Sequence, residues 1–291
     1  MASVAVVGAG AIGLSFAAAL EESGKHELLL CARRPLPRAA VERDGSVTEL
    51  RARVTTDPAQ LAGPVEWLLL AVKAHQTAGA APWLERLCGA FTRLVVLQNG
   101  VEQRELVEPY ARGAEVVPTI IWLPAEMVEP GLVRLNGDAR LMAPDDDGGR
   151  ALAGLFDGSF ALVEPVGDFV TEAWRKLCVN AVAGLMVLPG RRSEVFRRDD
   201  VAELARRFAA ECAAVARAEG AHLPDNFPDK LVADFQGYPP DLGTSMLFDR
   251  EAGRELEWDA RNGVIKRLGA RHGIPTPVSD VIVPLLAAAS G

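Results

Sequence analysis

Residues 4–13 read VAVVGAGAIG, and LSFAAALEESG follows at once. An apolar run that stops on glycines spaced G-x-G-x-x-G and passes straight into an apolar helical stretch constrains the fold strongly. In such a turn the first glycine allows the tight reversal, the second lets backbone approach a pyrophosphate, and the third lets helix lie close on strand, with the phosphates at the helix N-terminus. Gly8, Ala9, Gly10, Ala11, Ile12 and Gly13 are therefore candidate cofactor-binding residues. The spacing alone also suits an ordinary glycine-rich turn. Its position between a strand and a helix, at the head of an alternating pattern, favours dinucleotide binding.

That alternation continues through VAVVG (4–8), ELLLC (27–31), VEWLLLAVK (65–73), RLVVLQ (93–98) and VVPTIIWL (116–123). Short continuous apolar runs separated by candidate helices are what strands buried on both faces of a parallel sheet look like. Residues 131–163 differ: GLVRL, ARLMAP and FALVEP lie close together, split by Asn136-Gly137 and by the polar turn DDDGG. This predicts antiparallel strands finishing the sheet, with Asn-Gly as a hairpin signal. From Gly167 onward helical spacing takes over. Val201, Leu204, Phe208, Cys212 and Val215 form one apolar face, Leu256, Ala260, Val264 and Leu268 another, and Ser279-Asp280 reads as the cap of a last helix. The expected architecture is α/β, a domain over residues 1–166 followed by an all-helical one over 167–291. A chain of 291 residues that is 49% hydrophobic has enough apolar material for both.

Composition narrows the function. The 31 Lys and Arg are scattered among 39 Asp and Glu, a net charge of −8, which argues against a nucleic-acid partner. Cys31, Cys88, Cys178 and Cys212 lie far apart, with no C-x-x-C pair and no histidine spacing for a zinc site, so no metal is expected and the thiols read as reduced, in a cytoplasmic protein. The N-terminal apolar run has no basic leader and is broken by glycines, which fits neither a signal peptide nor a membrane span. His26, His75, His222 and His272 join no constellation and read as surface residues.

In an open parallel sheet the carboxyl ends of strands line the ligand crevice. About twenty residues past the glycines an NAD site usually offers an acid to the ribose 2′-hydroxyl; here LLLCARRP offers Arg33 and Arg34 instead. Two guanidinium groups suit a 2′-phosphate, so the cofactor expected is NADPH/NADP, with Arg33 the leading contact. Solvated loop arginines are the plain alternative. Lys73 and Gln76 follow the third apolar run, and Gln98-Asn99-Gly100 the fourth.

GAGAIG, AVKAHQT, LQNGVE, PGLVRLNG, RKLCVN and TSMLFDREAGRELEWDARNGVIKRLGARHGIPTP, in this order and spacing, resemble the ketopantoate reductase family, the 2-dehydropantoate 2-reductases. The resemblance covers nearly the whole chain. It implies an N-terminal Rossmann-type NADP-binding domain, a helical substrate and catalytic domain, and NADPH-dependent reduction of a 2-oxo acid. Ketopantoate, reduced to pantoate in pantothenate biosynthesis, is the leading substrate. The rivals are a same-mechanism reductase of another 2-oxo acid and a non-catalytic NADPH-binding sensor. The partners implied are that small molecule, no nucleic acid and no membrane; a homodimer stays open.

By the same resemblance Lys176 protonates the ketone and, with Glu257, forms the catalytic pair. Asn180, one turn on from Lys176, and Ser245 bind substrate with Lys176. Asn99 touches both ligands, Lys73 meets the cofactor, and Glu257 contacts the nicotinamide side of the cofactor or the substrate pocket. Lys176 could otherwise snorkel from an amphipathic helix, Ser245 cap one, and Glu257 pair with Arg254 or Arg261 on a surface. Two positions depart from the family pattern, which usually has asparagine at both. Gly184 is expected to remove a donor and open space. Glu194, beside Ser193, would set a negative charge near an anionic substrate if it pointed inward, unless Arg191 or Arg192 offset it.

Overall fold

The structure, a computed structural model, describes residues 2–290. It divides into two compact units, the first ending at Phe169 and the second beginning at Val170.

The first unit opens with β1 (Ala2–Val7), α1 (Ala11–Ser23) and β2 (His26–Cys31), followed by β3 (Ala40–Arg43), β4 (Ser46–Glu49), β5 (Arg53–Thr55), β6 (Trp67–Leu70), α2 (Ala81–Leu87), β7 (Arg93–Val96), α3 (Gln103–Val107) and β8 (Glu115–Pro118). A six-stranded parallel sheet runs in the order β5-β2-β1-β6-β7-β8. Val7 pairs with both Cys31 and Leu70, so three strands end level at the carboxyl edge. Strand order reverses at β1, which makes the gap between β1 and β6 the switch point where open α/β sheets hold ligands. The continuous apolar runs are explained by burial on both faces: Val4 and Val6 join Leu14, Phe16 and Leu20 of α1 on one side, while Ala5 and Val7 join Trp83, Leu84 and Leu87 of α2 on the other.

The rest of this unit departs from the sequence reading. Run 116–123 is not one strand: it breaks at Thr119 into β8 and β9 (Ile120–Trp122). The Thr119 backbone bonds to the Gln103 side chain at both N–H and C=O, and that takes it out of the ladder. β10 (Ala125–Glu129), β11 (Leu132–Leu135), β12 (Ala139–Pro144), α4 (Asp147–Leu155) and β13 (Ala161–Val166) complete the unit, but their strands do not finish the main sheet. They form a four-stranded sheet, β10-β11-β3-β4, and a three-stranded one, β13-β12-β9. Asn136-Gly137 is no hairpin, since β11 pairs with β10 and β3 and never with β12. The tight reversals fall instead at Asp44-Gly45, both with positive φ, and at Gly131. DDDGG starts α4, with the Asp146 carboxylate accepting from Gly149 N at 2.9 Å.

The second unit consists of α5 (Phe169–Val182, its first residue being the last of the first unit), α6 (Gly184–Val187), α7 (Asp199–Ala218), α8 (Phe227–Gly237), α9 (Ser245–Glu251), α10 (Val264–His272) and α11 (Pro277–Ala288). Phe208, Cys212 and Val215 of α7 are buried as the spacing predicts, but Leu204 is 39% exposed and the face is completed by Ala202, Ala205 and Ala209. The stretch from Leu256 to Leu268 is not one regular helix. A π turn at Asp259–Gly263 precedes α10, and it buries the consecutive residues Arg261, Asn262 and Gly263. Ser279 does not cap α11. The Glu211 carboxylate reaches across from α7 to accept from Ser279 N and Oγ, each at 3.0 Å, and from Val278 N. No described helix is long and apolar enough to cross a membrane.

Candidate active site

The glycine turn at the head of α1 has the geometry its spacing asks for. Gly8 has φ +112°, and a Cβ there would lie 2.8 Å from the backbone of Ala71 and Val72. A Cβ on Gly13 would fall 1.8 Å from the Gly8 carbonyl oxygen, so only glycine lets the helix close on the turn. At Gly10, by contrast, no atom beyond its chain neighbours lies within 4 Å of that position. Gly10 is also the N-cap of α1, without a side-chain cap and with no acid in the first turn. Its unengaged N–H groups and open approach fit a pyrophosphate.

Arg33 and Arg34 follow the end of β2 and are exposed, and neither bonds nor ion-pairs with another described residue. Lys73, half-buried, begins the turn after β6. Asn99, also half-buried, follows the end of β7. Gln98 beside it is structural: its amide donates to Val72 O at 3.1 Å and Thr77 Oγ1 at 2.9 Å. Gln103 carries the tie onward to Gln98 O and Thr119 O, and Thr119 Oγ1 donates to Val96 O at 2.7 Å. This buried network, which strand-end reasoning did not foresee beyond Gln98, fixes the loop that presents Asn99.

In the second unit Lys176 and Asn180 lie on α5, half-buried, between the buried Leu177, Cys178 and Ala181. Burial pulls the Lys176 ammonium down from 10.5 to about 7, and the positive charge of Arg261 adds to the fall. Asn262, fully buried, donates to Ala181 O at 2.9 Å and ties α5 to the π turn. That turn carries Arg261, whose Nη2 donates to Ser245 Oγ at 2.9 Å and lies 3.3 Å from Glu257 Oε2. Glu257 is no surface acid: it is 8% exposed and Arg261 3%, while Arg254 pairs with Asp249 instead. Nor does Ser245 cap α9, because Thr244 Oγ1 takes the Leu247 N–H. Sequence reasoning named Arg261 only as a partner for Glu257. The signal for more was there: an acid and an arginine four apart in an otherwise apolar stretch.

The departures at 184 and 194 read differently in three dimensions. Gly184 opens no space; a Cβ there would sit 3.2 Å from both Asn262 Nδ2 and Leu286 Cδ1, a tight approach, so the position packs against the π turn and α11. Glu194 is exposed and ion-paired with Arg191 at 3.3 Å, while Ser193 N bonds to Leu242 O at 3.0 Å. His26 is also no plain surface residue, since its Nε2 lies 2.9 Å from Leu155 O.

A glycine turn at a parallel switch point and a helical unit holding a lysine with a lowered pKa define a dinucleotide-dependent reductase. The chain belongs to the ketopantoate reductase family: residues 4–147 match the family model Ketopantoate reductase PanE/ApbA, and residues 168–290 match its C-terminal counterpart. A 2-dehydropantoate 2-reductase of Mycobacterium tuberculosis is 53% identical over 288 residues, covering 99% of this chain and 97% of that protein. Another, from Caulobacter vibrioides, is 38% identical over 293 residues, covering 100% of both. The crystal structure of a PanE/ApbA family ketopantoate reductase from Ralstonia eutropha superposes with a TM-score of 0.89 at 28% identity, covering 99% of this chain and 98% of the other.

Proposed function

We propose that the chain is a 2-dehydropantoate 2-reductase, reducing ketopantoate to pantoate with NADPH in pantothenate biosynthesis. The observation that carries this reading is Lys176, an amine with its pKa near neutrality in the field of an arginine that also holds Ser245 and Glu257. Bound NADPH supplies the reducing equivalent to the ketone carbon. Lys176 then does the work that a growing oxyanion demands, neutralising its charge and delivering a proton to its oxygen. Asn180 orients the oxo acid from the same helix face, and Ser245 binds the carboxylate. Glu257 pairs with Arg261 and meets the nicotinamide side.

The first unit binds the cofactor. Gly8, Ala9, Gly10, Ala11, Ile12 and Gly13 cradle the pyrophosphate, Arg33 takes the 2′-phosphate, and Lys73 and Asn99 complete the contacts. Two unpaired arginines where an acid would serve NAD support NADPH. A cytoplasmic location belongs to this reading and fits four free, buried thiols. A different 2-oxo acid loses its main support, since Gly184 is a packing residue and Glu194 is paired outward. The test is NADPH consumption across a panel of 2-oxo acids. Ketopantoate should give the highest kcat/KM; a better rate on another acid, or tight NADPH binding with no turnover on any, would defeat the assignment.

A further inference from the structure

Arg261 is buried with more donors than partners. It is 3% exposed, on a π turn, and its two side-chain hydrogen bonds both leave from Nη2, to Ser245 Oγ and to Glu257 Oε2. Its Nε is buried with no acceptor among the described residues. A guanidinium has five N–H donors and accepts nothing, so a buried one with a single carboxylate partner is under-compensated. Lys176 adds a second positive charge close enough for Arg261 to depress its titration. The buried Nε donor is one that an oxygen of an anionic ligand would satisfy. The direction of the Ser245 bond matters equally: the hydroxyl oxygen accepts from Arg261, which leaves its proton free for another acceptor.

We propose that Arg261 is a substrate-positioning residue, whose guanidinium orients the Ser245 hydroxyl so that serine proton and arginine charge together fix the carboxylate of the 2-oxo acid. This rests on the proposed function, in which Ser245 meets that carboxylate. Arg261 selects for the anionic group, while Lys176 serves the ketone.

The test compares a 2-oxo acid with its neutral methyl ester, using ketopantoate and the whole chain. In Arg261→Met, KM for the acid should rise at least about tenfold, KM for the ester should stay within about twofold, and NADPH affinity should not change. Adding Ser245→Ala to Arg261→Met should cost little further, because without the guanidinium the serine hydroxyl is no longer oriented toward the carboxylate. Arg261→Lys keeps the charge without the fork, so it should fall between wild type and Arg261→Met. If Arg261→Met does not fold, Arg261→Lys still decides, by losing at least about threefold of the preference for acid over ester. Equal losses on acid and ester, or strictly additive effects of the two substitutions, would show a merely structural arginine and overturn the proposal. Calorimetric titration of the acid in the presence of NADP separates this from the function itself. Wild type that binds the acid without turnover defeats the proposed function and leaves Arg261 to be judged by the same titration, whereas wild type that binds no 2-oxo acid defeats both.

Discussion

Lys176 titrates at about 7 because burial and the charge of Arg261 both disfavour its ammonium. As the proposed donor to a ketone it must enter the reaction protonated. The kcat/KM for reduction should therefore fall about tenfold per pH unit above about 7, and that for oxidation of the hydroxy acid should rise over the same window. An ordinary lysine would hold the rate of reduction to near 10.5. Parallel pH profiles in both directions check this, and a flat profile from 6 to 9 contradicts it. Arg33 makes the second prediction at this scale. Charge-assisted bonds to a phosphate contribute about 1.5–3 kcal/mol each, so Arg33→Glu should weaken NADPH binding by roughly tenfold or more and leave NADH nearly unchanged. Fluorescence titration with both cofactors measures it; equal binding of both by the unaltered protein would contradict it. Arg33 was a candidate in the sequence because it stands at a strand end where an acid is usual, whereas the role proposed for Lys176 came from the family resemblance, since an amphipathic helix alone suits a snorkelling lysine equally well. What an ungapped count could not supply was direction. It singled out Gly184 and Glu194 as facing substrate, yet one lies against Asn262 and the other is exposed and paired with Arg191.

Among the elements, α11 depends on a side chain from another helix. Glu211 of α7 accepts from Val278 N, Ser279 N and Ser279 Oγ, so one carboxylate satisfies donors that its first turn would otherwise leave open. Glu211→Ala strands those donors and should cost about 2–3 kcal/mol, read as a lower denaturation midpoint with NADPH affinity unchanged. A midpoint equal to wild type would show that water replaces the carboxylate without penalty. The same scale explains the misread elements. The glycine turn is a local motif and could be found locally. The pairing of β11 with β3 joins segments far apart in sequence, Leu132 lying opposite Ala40, and no Asn-Gly dipeptide could announce it. The π turn that buries Arg261, Asn262 and Gly263 in a row breaks the 3.6-residue period on which helix reading relies; such turns recur at functional sites.

Over the whole molecule the net charge is −8, while both proposed ligands are anions. Attraction must then be local rather than global, and the structure has local cations in each unit: Arg33 and Arg34 after β2 in the first, Lys176 and Arg261 in the second. That division fits a chain in which one unit holds the cofactor phosphates and the other does the acid chemistry. The most direct test of this account is the steady-state rate of 2-dehydropantoate reduction by Lys176→Ala, measured with its NADPH affinity. The account predicts a folded protein that binds NADPH as wild type does, with kcat lower by about 10² to 10⁴. A folded Lys176→Ala protein that reduces 2-dehydropantoate at close to the wild-type rate would contradict it.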